Sequence, residues 1–111
     1  MREYTPDCWK VIEIKYDANS EIHYRVAAGW YGGFTQGDSW KINSGIVDTV
    51  QEGDIISFTG DTGSVYRCHV RSEGLNGYTT AVVKSYNIDH EKIGGYVREV
   101  DFRDFEKLTR A

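Results

Sequence analysis

Long apolar runs are missing from this 111-residue chain, so it lacks the roughly 20 consecutive hydrophobic residues that a membrane-spanning helix needs. Its first residues, MREYTPDCWK, hold no apolar segment of a secretory leader. Cysteine is scarce. Cys8 and Cys68 are too few for a disulfide framework, and both are expected as free thiols of a reducing cytosol. Basic residues are outnumbered, 13 Lys and Arg against 17 Asp and Glu, for a net charge of -4. Such a balance opposes any affinity built on phosphate neutralisation, and nucleic acid is not an expected partner. Repeats, low-complexity tracts and linkers are also lacking. These absences point to one cytoplasmic domain spanning residues 1–111, long enough to bury a core without a metal or disulfide staple.

What is present is alternation. In Trp9 to Tyr16, Ile12, Ile14 and Tyr16 share a face; in Ile22 to Trp30, Tyr24, Val26 and Ala28 do the same, and DANS at 17–20 supplies the turn of a hairpin. SWKIN, DIISFTG, SVYRCHV and YTTAVVKSY repeat the strand signature of β-branched and aromatic residues between turn formers. QEGD at 51–54, Asn76-Gly77 and Gly94-Gly95 read as turns. Only the last segment changes period: Phe102, Phe105 and Leu108 share a helical face, Asp101 is placed to cap the first turn, and Val100 with Phe105 has the spacing of a hydrophobic staple. The expected fold is mainly β, a small antiparallel barrel or sandwich of six or seven strands with one short C-terminal helix.

Few residues carry a chemistry. The string DTGS, Asp61 to Ser64, resembles the signature of retroviral-type aspartic proteases, in which each subunit of a dimer contributes one aspartate and the pair shares a proton. The residues before it, Phe58, Thr59 and Gly60, depart from that family's apolar pattern, and KIGGYV matches its second strand only loosely; a hairpin turn has the same composition. His23, His69, His90, Cys8 and Cys68 form no spaced metal-ligand pair, and Cys68 and His69 point to opposite faces of one strand. Nothing fixes a base beside a nucleophile, and Gly29, Gly32 and Gly33 are not followed by a helix that would cradle phosphate. No catalytic residue, metal or cofactor is expected.

The stretch AAGWYGGFTQGDSW, residues 27–40, is the richest in recognition chemistry. Trp30 and Trp40 read first as core aromatics flanking a glycine hairpin. Tyr31 and Phe34 are harder to bury, and aromatics on a glycine-bounded loop give large contact area at low entropic cost, as interface anchors do. Tyr31, Phe34, Trp30 and Trp40 are therefore the candidate partner-binding residues.

The segments WYGGF, GDSW, NSGI and GSVYRC, in that order, resemble a group of small proteins encoded in tailed-phage genomes that share a WYGG, DSW, SG, GS-x-Y-x-C pattern. The similarity spans roughly residues 22–70 and brings no activity to transfer. It implies a phage-type accessory protein that binds and modulates a host protein in the host cytoplasm. The competing expectations are an aspartic-protease-like homodimer using Asp61 and a carbohydrate-binding module with the aromatics as a stacking platform. Oligomeric state is left open.

Overall fold

The computed structural model describes residues 2–31 and 39–109. Among them the chain forms β1 (Glu3–Tyr4), β2 (Cys8–Asp17), β3 (His23–Trp30), β4 (Ser39–Ile42), β5 (Ile46–Glu52), β6 (Ile55–Gly60) and β7 (Val65–His69). There follow a 3-10 turn at Val70–Ser72, α1 (Gly77–Glu91), β8 (Gly94–Val100) and α2 (Phe102–Thr109). The strands build two four-stranded sheets, ordered β1-β7-β6-β5 and β4-β3-β2-β8, with no closed barrel among the described residues. Pairing is antiparallel except for β1, which runs parallel to β7. Neither helix is long and apolar enough to cross a membrane.

The β2–β3 hairpin forms where the alternation and the DANS turn place it. Asp17 Oδ1 accepts from Asn19 N and Ser20 Oγ, both at 2.9 Å, and so closes the turn that sets the register from Cys8↔Gly29 to Ile14↔His23. These two strands are central and bury both faces. Trp9, Val11, Val26 and Ala28 point toward the other sheet, where they meet Ile56, Phe58, Tyr66 and Cys68. Ile12, Ile14 and Ala27 point the opposite way and pack with Val83 of α1. Trp9 and Phe58, fully buried with ring centroids 5.5 Å apart, each contribute about 1.5–3 kcal/mol by leaving water.

The segment YTTAVVKSY is helical, which corrects its reading as a strand; a second helix therefore joins the expected C-terminal one. Asn76, expected in a hairpin turn, is instead the N-cap of α1, its Oδ1 accepting from Thr79 N at 2.8 Å. Thr79 and Val83 turn inward onto the sheet. Gly29 permits the approach: a Cβ there would lie 2.6 Å from Thr79 Oγ1 and 2.8 Å from Cys8 Sγ. Farther along the helix, Asn87 Oδ1 accepts from Val97 N at 2.9 Å, which satisfies a donor on the outer edge of β8. Gly94-Gly95, expected as a turn, opens β8. Gly95 must lack a side chain, since a Cβ would sit 2.1 Å from the Lys15 carbonyl oxygen.

α2 forms as expected, with Phe102 and Phe105 inserted between the sheets; Leu108 is 55% exposed. Its capping differs from expectation. The Asp101 side chain accepts from Lys10 Nζ, while Glu73 Oε2 accepts both from Lys10 Nζ at 3.0 Å and from the first helical N–H, that of Phe102, at 2.8 Å. Burial alone would lower the pKa of Lys10, but the hydrogen bonds from Asp101 and Glu73 outweigh it and keep the ammonium charged. One lysine thus ties β2 to the start of α2.

Candidate functional site

The candidate partner-binding residues do not form one cluster. Trp40 pairs with Gly29 across β3–β4 and faces α1, whereas Trp30 pairs with Ser39 and faces the other sheet. Trp30 is half-buried there, its indole N–H donating to the Thr5 carbonyl at 3.1 Å and its ring 6.2 Å from Tyr4. Tyr31 is 59% exposed, its backbone N–H held by Asp7 Oδ2 at 2.8 Å. Phe34 lies outside the described residues. Two tryptophans on opposite faces do not make a single stacking platform.

What the fold does assemble is a groove between α1 and its sheet, with a cavity of about 240 Å³. Ile12, Ile14, Ile42 and Val97 form its apolar floor. Trp40 and Tyr86 stand edge to face at 5.9 Å along one side. The other end is polar and stacked: the Tyr16 ring lies 4.8 Å from His23 and 5.3 Å from His90, and Arg25 Nη2 donates to Tyr16 Oη at 2.5 Å. His90 Nδ1 lies 3.2 Å from the Tyr16 carbonyl oxygen and anchors the end of α1 to the end of β2.

This polar end is electrostatically incomplete. Arg25 is half-buried, and among the described residues no carboxylate pairs with it. Arg25 Nε and His23 Nε2 are both shut off from solvent without a hydrogen-bond partner. Arg25 Nε–H is a buried donor left unsatisfied, at a cost of about 1–3 kcal/mol, so that side chain is short of an acceptor. Burial and then the charge of Arg25 hold the His23 pKa below its ordinary value of 6.5.

A second polar cluster is complete. Glu13, 2% exposed, accepts from Tyr24 Oη at 3.1 Å and Tyr96 Oη at 2.5 Å and forms an ion pair with Arg98 Nη2 at 2.8 Å. Burial and the Glu13 carboxylate raise the Tyr24 pKa, and the hydrogen bond to Glu13 raises that of Tyr96. With all its partners present, Glu13 locks β2, β3 and β8 together.

The DTGS stretch is an exposed turn between β6 and β7. Gly60 N donates to Ser64 O at 2.8 Å, Gly63 N to Gly60 O at 3.0 Å and Asp61 N to Gly45 O at 3.0 Å, a main-chain lattice that accounts for the composition of the string as a folding element. Cys8 and Cys68 are buried and unpaired, and burial pushes the Cys68 thiol pKa far up. His69 Nδ1 accepts from Arg71 N, which caps the 3-10 turn. No cluster of three or more His, Cys, Asp or Glu among the described residues has the geometry of a metal site.

No family model, curated protein or solved structure matches this chain. The groove therefore stands on its own geometry. Tyr16, His23, Arg25, Tyr86 and His90 escape sequence reading as a site because three separate elements bring them together. One signal was available: Asn76 as a cap before a 15-residue span free of proline, which would have placed Tyr86 and His90 on one helix.

Proposed function

We propose that the protein is a non-catalytic, phage-type accessory protein that binds a host protein in the cytoplasm, and that the groove between α1 and the β4-β3-β2-β8 sheet is its recognition surface. The observation that carries this reading is the aromatic-walled groove ending in an arginine with which no carboxylate of the described residues pairs. Aromatic and arginine side chains dominate the energetics of interfaces, and an incomplete polar network at the end of an apolar groove is completed by a partner. We read the two sheets with their shared cluster as an open sandwich whose outer face, partly covered by α1, leaves the groove beside that helix for recognition. The test is capture from a bacterial host lysate by the wild type and by a Tyr86→Ala, Arg25→Gln variant shown to be folded. A protein enriched by the wild type alone supports the reading; equal enrichment by both sinks it.

A second reading puts the contact at Tyr31, favoured by the 59% exposure of that ring. Tyr31→Ala in the same capture separates the two. Loss of enrichment there, with the groove variant unaffected, moves the interface to the 27–40 stretch.

A further inference from the structure

We infer that the groove is built for an acidic segment of its partner, one that sets a bulky apolar side chain against the Trp40–Tyr86 pair and a neighbouring carboxylate against Arg25. This deepens the binding reading and rests on it. Charge complementarity favours that occupant. The chain is acidic overall, yet the groove's polar end carries Arg25 with His23 and His90 stacked about Tyr16, and no carboxylate of the described residues reaches the guanidinium.

Arginine offers five N–H donors in a planar fork suited to a carboxylate. Here one of them is held by Tyr16 Oη and Nε has no partner, so the guanidinium is oriented but its donor capacity is largely unused. The hydrogen bond to Tyr16 Oη, with the guanidinium carbon 5.9 Å from the ring centroid, holds the fork at the hydroxyl edge of that ring before anything binds. Such preorganisation lowers the entropic cost of pairing. The apolar half supplies the second determinant, because the paired rings of Trp40 and Tyr86 with Ile42 and Val97 offer an apolar wall for an aromatic or large aliphatic group.

Size separates a partner's side chain from a free metabolite. At about 240 Å³ the cavity falls below the roughly 300–1,000 Å³ of sites that enclose small ligands, and it suits one anchor residue and an adjoining carboxylate.

The experiment is a titration of the ¹⁵N-labelled full chain at pH 7 with two blocked pentapeptides, acetyl-(Glu)₂-Phe-(Glu)₂-amide and its glutamine counterpart acetyl-(Gln)₂-Phe-(Gln)₂-amide, and with 3-phenylpropionate. The acidic peptide is expected to shift resonances of Trp40, Tyr86 and Arg25 and to bind at least about tenfold more tightly than the glutamine peptide, a single charge-assisted contact being worth that much. Arg25→Gln should reduce the acidic peptide to the affinity of the neutral one, and Arg25→Lys should keep part of the difference. Equal affinity of the two peptides for the wild type overturns the acidic assignment and leaves the groove as a binding surface. No shift at the groove with any probe overturns both the assignment and the groove. Binding of 3-phenylpropionate as tight as that of the acidic peptide overturns the assignment in favour of a small-molecule site.

Discussion

Glu13→Ala should be among the most damaging single changes in this protein. The residue is 2% exposed, and its carboxylate takes two hydrogen bonds, from Tyr24 and Tyr96, and an ion pair with Arg98. Removing one partner of a fully buried ion pair costs about 3–5 kcal/mol. Here the cost is at the lower end, because the Arg98 side chain is 65% exposed and turns to water when released. What remains is two tyrosine hydroxyls that lose a charged acceptor, about 1.5 kcal/mol each, for a total near 3 kcal/mol. For a chain of this length that lowers Tm by about 12 °C. Urea unfolding followed by circular dichroism reads the loss directly, with an unchanged m-value showing that the folded and unfolded surfaces are the same. Glu13→Gln, which keeps an acceptor, should lose roughly half as much, and Arg98→Gln less than about 1 kcal/mol as expected of an exposed pair. A loss below about 1 kcal/mol in Glu13→Ala would refute the claim that this network locks β2 to β3 and β8.

The same structure yields three further expectations. Because burial and Arg25 hold the His23 pKa below 6.5, its contribution to stability is complete above pH 6.5 and is lost as the pH falls toward the folded-state value; denaturation curves from pH 7.5 to 5 should show this slope in the wild type and a shallower one in His23→Gln. Gly95→Ala places a Cβ 2.1 Å from the Lys15 carbonyl oxygen and 2.4 Å from that of Tyr16, so it should cost about 3 kcal/mol or more and slow the assembly of β8, as read by equilibrium and refolding measurements. Tyr31→Ala should leave stability within about 0.5 kcal/mol, whereas Trp30→Ala should cost about 2–3 kcal/mol through the lost contacts with Tyr4 and Thr5; equal losses in thermal melts would contradict the split of these neighbours between surface and core.

Much of the sheet architecture is legible in residue order because local chemistry and tertiary packing agree there. DANS turns the chain where Asp17 caps the bend, QEGD places Gly53 at φ 60° between β5 and β6, and the alternation in β6 from Ile55 to Gly60 matches its burial one residue in two. α1 is misread because its sequence is rich in β-branched and aromatic residues and only Thr79 and Val83 are buried, so no continuous apolar stripe marks it as a helix. Its helical state comes from the Asn76 cap and from packing over β8, neither of which composition reports. β5 is passed over for a related reason: Ile46 to Glu52 lies at an edge, exposed along much of its length, with a bulge between Ile46 and Asp48 that breaks the period. The groove follows α1. Once that segment is taken for a strand, Tyr86 and His90 cannot face Tyr16, Arg25 and Trp40, and attention falls on the 27–40 stretch, whose two tryptophans the sheet sends to opposite faces.

The central claim, that the polar end of the groove awaits an acceptor, is tested most directly on Arg25 itself. The Nη–H resonances of that side chain, followed by ¹⁵N spectroscopy as the acidic pentapeptide is added, should move downfield as a carboxylate pairs with the guanidinium. Arg25 Nη–H resonances that stay where they were while the peptide saturates the protein would contradict this claim.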